Sequence, residues 1–165
     1  MPARHHYSST VIRTGLFKAL TSFSELEQRI SSLPSNKERG DAFEVFAEAY
    51  LTTQKIAQAK EVWPDQHIPI EVLRQHKLPE RDLGADGVYR TFSDKLNAYQ
   101  VKFRTGRPAL KWDELGTFMG LTDQVDERVL FTNTDDLCEI HHIAVPGLQF
   151  RVSPTAPYCR RIRTG

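Results

Sequence analysis

The sequence predicts a mixed α/β domain in which helices flank a β-sheet. Three observations lead there. Residues 41–53 carry an apolar stripe at helical spacing, formed by Phe43, Phe46, Ala47 and Tyr50 and widened by Ala42, Val45 and Ala49. Residues 86–92 and 97–104 alternate in polarity and are separated by a short polar connection, the pattern of a β-hairpin. Residues 110–121 then read as a helix with Trp112, Leu115, Phe118 and Met119, and RVLFT at 128–132 as a short buried strand. A helix, two paired strands, a helix and a strand make a layered α/β architecture.

The remaining segments follow in chain order. The first dozen residues read as a flexible lead-in. Between 15 and 33, Leu16, Phe17, Leu20, Phe23, Leu26 and Ile30 recur at roughly helical spacing, with Ser22 or Ser24 as cap of a helix running to about Ser32. Leu33-Pro34-Ser35-Asn36 breaks that helix, and Gly40-Asp41 opens the next. Trp63-Pro64 and Ile68-Pro69 argue against regular structure over 54–85, apart from a short strand at 70–73. Gly106-Arg107-Pro108 ends the second hairpin strand, and residues 137–145 suggest a helical turn and another strand. This divides the chain into a lead-in with one helix (1–37), the main domain (38–150) and a basic flexible tail (151–165).

Composition narrows the function less than the motifs do. The chain has 165 residues, a quarter of them charged, and a formal net charge of +1, so any anion-binding surface must be local. Cys138 and Cys159 are the two cysteines; they lack metal-ligand spacing and read as free thiols. No apolar run resembles a signal peptide or reaches membrane-spanning length, so a cytoplasmic setting without membrane contact is expected.

The hairpin carries the chemistry. Side chains alternate faces along a strand, so Gln100, Lys102 and Arg104 share one face while Tyr99, Val101 and Phe103 share the other. A loop at 93–95 sets Asp86 opposite Lys102; a loop two residues longer sets it opposite Gln100. Both registers put Asp86, Gln100 and Lys102 on one face. A carboxylate, a neutral oxygen and an ammonium together suit phosphodiester hydrolysis assisted by Mg2+, which prefers oxygen ligands. Asp86 and the Gln100 side-chain oxygen are candidate metal ligands, with the Val101 backbone carbonyl as a further one. Lys102 is the cation beside the attacking water or the developing phosphate charge. Glu44 shares a helix face with Asp41 and Glu48 and could add a carboxylate through water.

The residues Asp82-Leu-Gly84-Ala-Asp86, followed by Gln100-Val101-Lys102, resemble the PD-(D/E)xK nuclease superfamily in its Mrr-like branch, where Gln often replaces the second acid. Gly40-Asp41-Ala42-Phe43-Glu44 is similar to that family's opening helix, and residues 115–132 to its later helix and strand. The N-terminal segment looks most like nuclease domains fused to helicase-like translocases in type ISP restriction enzymes. The resemblance, over roughly 38–145, implies a restriction-endonuclease-like mixed sheet flanked by helices, with the site at one end of the hairpin. It implies Asp86 and Gln100 as metal ligands, Lys102 as catalytic lysine and Glu44 as accessory acid. Mg2+ is the implied cofactor, with Mn2+ as substitute, and DNA the substrate, in a restriction or phage-defence system. An ATP-dependent helicase or translocase, another defence-system subunit and a second copy of the chain are the implied partners. The alternative is a catalytically silent DNA-binding or scaffolding domain of the same fold, which the neutral Gln100 keeps open. Ala85 departs from the family's bulkier residue, and no helicase motif accompanies the domain.

Plainer readings stand beside these. Asp86-Gly87 is also a common turn pair, Gln100 and Lys102 could be a solvated strand face, and Glu44 and Glu48 a solvated helix stripe. Arg104, Arg107 and Lys111 read equally as a phosphate-tracking DNA contact or as a solvated face. His5-His6 and His141-His142 are adjacent pairs, which on a helix or strand do not converge on one metal, so they read as structural or surface residues. Ser9, Ser153 and Cys138 lack the partners that nucleophilic catalysis needs.

Overall fold

Five strands, β1 (Ala59–Pro64), β2 (Gly87–Thr91), β3 (Leu96–Lys102), β4 (Glu127–Thr132) and β5 (Leu148–Val152), form one sheet in the order β1-β2-β3-β4-β5. β1 pairs antiparallel with β2 and β2 with β3; β3, β4 and β5 run parallel, so the sheet is mixed. The helices are α1 (Ser8–Thr14), α2 (Phe23–Ser31), α3 (Asn36–Thr53), α4 (Ile70–Gln75) and α5 (Gly116–Leu121). This computed structural model describes residues 4–134 and 148–152, the last five by their backbone. The segment 137–145 and the tail from Pro154, read above from sequence, lie outside the described residues.

Apolar side chains from both faces of the sheet make two cores. On one face Val88, Leu96, Ala98 and Leu130 pack against Leu73 of α4, Phe118 of α5, and Leu110 and Leu115 from the segment before α5. On the other, Tyr89, Tyr99, Val101, Val129 and Phe131 pack against Phe43, Ala47 and Leu51 of α3 and Phe23, Leu26 and Ile30 of α2. The segment before residue 38 therefore shares its core with the rest of the chain, and position 37 falls in the first turn of α3. No described helix is long and apolar enough to cross a membrane.

Several elements differ from the sequence expectation. The lead-in contains α1, with Val11 buried. Helix α3 begins at Asn36 rather than Asp41, because Ser35 and Glu38 form a capping box that satisfies the exposed amides of the first turn. Gly40 is carried inside the helix. Strand β1 occupies a region set aside because of Trp63-Pro64. Pro64 sits at the last position of an edge strand, where a missing N–H breaks no interior ladder. Residues 70–75 are helical, not a strand; periodicity cannot separate the two in so short an apolar run. Residues 110–121 divide into an extended piece, a 3-10 turn at Trp112–Leu115 and α5.

The hairpin register pairs Gly87 with Tyr99 and Val88 with Ala98, so Asp86 lies opposite Gln100, the second of the two registers above.

Candidate active site

Asp86 sits where β2 begins and its backbone ties three segments together. Its N–H donates to the Tyr99 carbonyl at 2.9 Å, and its carbonyl accepts from the Asp65 N–H at 3.0 Å, just past β1. Its carboxylate accepts the Val101 N–H at 2.6 Å. Leu83 and Ala85 are buried on either side of Gly84 and anchor the approach. Gly84 has φ of +70°, and a Cβ there would meet Thr117, so a left-handed conformation and a close approach both require glycine. At Gly87 a Cβ would lie 2.5 Å from the Trp63 carbonyl oxygen and collide with the Tyr99 hydroxyl. The Asp-Gly pair is thus a packed strand entry rather than a solvent-facing turn.

Asp86 lines a cleft of about 130 Å³ together with Glu44, Asp65, His5, His6 and His67. Burial first, then the nearby Glu44 charge and a smaller contribution from Asp65, raise the Asp86 carboxyl pKa to about 7, although the residue keeps partial contact with solvent. The Val101 N–H and the Lys102 ammonium act in the opposite direction. Asp65 is pushed up as well, first by burial and then by the charges of Asp82 and Glu44. Three carboxylates crowd one another here, which is the electrostatic setting that a cation relieves.

Gln100 supplies the most specific observation. Its Nε2 donates to the Gly84 carbonyl at 3.2 Å, which fixes the amide, and its Oε1 is buried without a hydrogen-bond partner. A buried acceptor left unmade is costly. An oxygen donor set of Asp86, Gln100 Oε1 and the Val101 carbonyl fits a hard divalent cation such as Mg2+. Lys102, two residues on, is half-buried, and its ammonium makes no hydrogen bond or ion pair with another described residue. It lines a neighbouring cleft with Arg39, Arg104 and Thr105.

Among solved structures, the chain matches an ATP-dependent Type ISP restriction-modification enzyme, LlaBIII, bound to DNA. The fold is restriction-endonuclease-like. The TM-score is 0.58 at 18% identity, over 81% of this chain and 8% of that one. This chain therefore spans a small part of the protein it matches. No family model matches it, and no curated protein does.

The other expected site residues are placed as follows. Glu44 accepts from His5 Nε2 at 2.8 Å and faces the cleft, so it is not a solvated stripe residue. Arg104 is paired with Glu114 and also donates to the Phe103 carbonyl. Arg107 grips Glu27 of α2 through Nε at 2.7 Å and Nη2 at 2.5 Å. Both guanidinium groups are engaged within the fold, whereas Lys111 is exposed. The reading of His5 and His6 as non-converging needs correction. Their rings lie 4.2 Å apart, and His6 Nε2 is 3.5 Å from Asp41 Oδ2. Both residues precede α1 in irregular backbone, where the divergence of adjacent side chains on helices and strands does not apply. Asp65 was missed because Trp63-Pro64 hid the strand that delivers it. The His141-His142 pair and both cysteines lie outside the described residues.

Proposed function

We propose that this chain is a metal-dependent endodeoxyribonuclease that hydrolyses DNA phosphodiester bonds within a restriction or phage-defence system. The observation that carries the reading is the buried, unpartnered Oε1 of Gln100, the residue opposite Asp86 in the hairpin register, together with the crowding of Asp86 by Glu44 and Asp65. Asp86, Gln100 and the Val101 carbonyl would hold Mg2+, with Mn2+ as substitute. When bound, the ion supplies Lewis-acid polarisation of a phosphoryl oxygen. Lys102 donates to the charge that develops on the phosphate. Glu44, oriented by His5, accepts a hydrogen bond from water in the cleft and keeps it positioned. Lys102 and Lys111 are the cations available to track the DNA backbone.

The matched enzyme is ATP-dependent and DNA-bound, which supports DNA as partner and an ATP-dependent helicase or translocase, or another defence-system subunit, as the machinery this domain serves. A double-strand cut made by single active sites would bring two copies together as a homodimer.

Plasmid cleavage with and without Mg2+, paired with Mn2+ calorimetry, tests the reading. Metal-dependent cutting and a Mn2+ site lost in Asp86→Ala support it. DNA binding without cleavage and without an Asp86-dependent Mn2+ site would establish the silent DNA-binding or scaffolding domain instead.

A further inference from the structure

We propose that His5, His6 and Asp41 form a second cation site, selective for Zn2+ and related transition metals, beside the Asp86 centre but with its own three ligands. One ligand atom from each of the three lies within 4.8 Å of the others. His6 Nε2 and Asp41 Oδ2 are 3.5 Å apart. Metal bonds of about 2.0–2.2 Å in tetrahedral array put neighbouring donors roughly 3.4 Å apart, so this pair already spans one edge of a zinc site. Rotation of the half-exposed His6 ring closes the remaining distance.

The chain holds the donors in place before any ion arrives. His5 is 8% exposed and Asp41 9%. The His5 N–H donates to Glu48 Oε2 at 2.8 Å, and the Tyr7 N–H donates to His5 Nδ1 at 3.2 Å. These bonds pin the turn before α1 to the flank of α3 and set the His5 ring plane. Nδ1 already accepts the Tyr7 N–H, so Nε2 is the ligand atom: it gives up its proton, and the cation replaces its bond to Glu44 Oε2, now at 2.8 Å. Lys37 Nζ now rests on Asp41 Oδ2 at 2.7 Å, but its side chain is 74% exposed. A surface ion pair of this kind yields readily to a better cation.

Donor chemistry separates the two sites. Two imidazoles and a carboxylate favour zinc, cobalt or nickel over magnesium, whereas the oxygen donors around Asp86 favour magnesium or manganese. An ion on the histidine cluster would staple residues 5 and 6 to α3 beside the cleft. The inference does not depend on hydrolytic activity.

Co2+ titration of the whole chain, followed by its visible absorption and reversed by Zn2+, tests it. Wild type and Asp86→Ala should each bind one Co2+ with the intense bands of a tetrahedral site. In His6→Ala and Asp41→Asn the affinity should fall about 10-fold or more, with circular dichroism unchanged. His6 is half-exposed, so its removal leaves the fold standing. Equal Co2+ affinity in wild type, His6→Ala and Asp41→Asn would overturn the proposal, as would no Co2+ bands in wild type. Loss of the bands in Asp86→Ala with retention in His6→Ala would also overturn it, by assigning the ion to the other site.

Discussion

The carboxylate of Asp86 accepts the N–H of Val101 at 2.6 Å, at the point where β2 has yet to begin and β3 runs on alongside. The side chain thereby completes the ladder that the backbone does not yet supply. It is held at the divergence of two strands, beside Gln100 and within the field of Lys102. A strand end of this kind leaves backbone groups and side chains free to face a ligand while the sheet behind them stays rigid.

Burial and the Glu44 charge give Asp86 a pKa of about 7 in the folded protein; the unfolded value is about 3.9. A raised carboxyl pKa means the folded state holds the proton more tightly. The associated stability is fully present below the unfolded pKa and is lost as pH rises toward and through 7. Asp86→Asn keeps the acceptor for Val101 and removes the titration. In chelator-treated protein the variant should therefore melt higher than wild type at pH 8, with the advantage shrinking toward pH 4.5. A pH-independent difference between the two melting curves would remove this titration from the stability of the domain.

Lys102→Ala should lower DNA cleavage about 100-fold or more, the usual cost of losing a group that stabilises transition-state charge. Lys102 makes no ion pair with a described residue, so the melting temperature should barely move, with stability changed by about 0.5 kcal/mol or less. Cleavage rates and thermal denaturation of the same preparation check both halves. Unchanged cleavage would take Lys102 out of the chemistry.

Gln100→Glu adds charge at a nearly isosteric position where the amide oxygen has no partner. Mn2+ binding should tighten and cleavage should persist, as measured by calorimetry and plasmid nicking. Weaker Mn2+ binding would mean that Gln100 does not face the metal.

The parts of this site that were legible in the sequence are those governed by a fixed period. Alternation along the hairpin predicts Asp86, Gln100 and Lys102 on one face because both candidate loops preserve parity; the observed register sets Asp86 opposite Gln100, while Lys102 lines a different cleft from Asp86. The α3 stripe likewise aligned Asp41, Glu44 and Glu48. Asp65 and His5 escaped for a physical reason. Asp65 follows a proline-terminated edge strand, and proline reads as a break unless the strand's edge position is known. His5 reaches Glu44 from irregular backbone, where no period relates neighbouring side chains. The engagement of Arg104 and Arg107 was illegible too, since Glu114 and Glu27 become their neighbours only after folding.

Gly87→Ala should destabilise the domain by about 1–3 kcal/mol or more, because the added methyl has no room between the Trp63 carbonyl and the Tyr99 ring. Both neighbours belong to strands paired with β2, so relief requires the sheet itself to move. Chemical denaturation measures the loss. A midpoint equal to wild type would show that the strand entry is looser than this packing implies.

Arg107 and Lys111 lie in one basic run yet should separate experimentally. Arg107 bonds Glu27 through two nitrogens, and Asn133 Nδ2 donates to the same carboxylate at 2.7 Å, so the guanidinium joins α2 to the segment after β3. Its hydrogen bond is the main cause of the depressed Glu27 pKa. Arg107→Ala leaves that carboxylate short of a partner and should cost about 1 kcal/mol, a figure reduced for partial solvent screening. Its DNA affinity should keep the wild-type dependence on salt. Lys111 is exposed, so Lys111→Ala should leave the melting temperature alone while lowering the slope of log affinity against log salt by about one. Melting curves and DNA titrations at three salt concentrations on both variants decide the matter. A shallower slope for Arg107→Ala with unchanged stability would make Arg107 a phosphate contact and its bond to Glu27 dispensable.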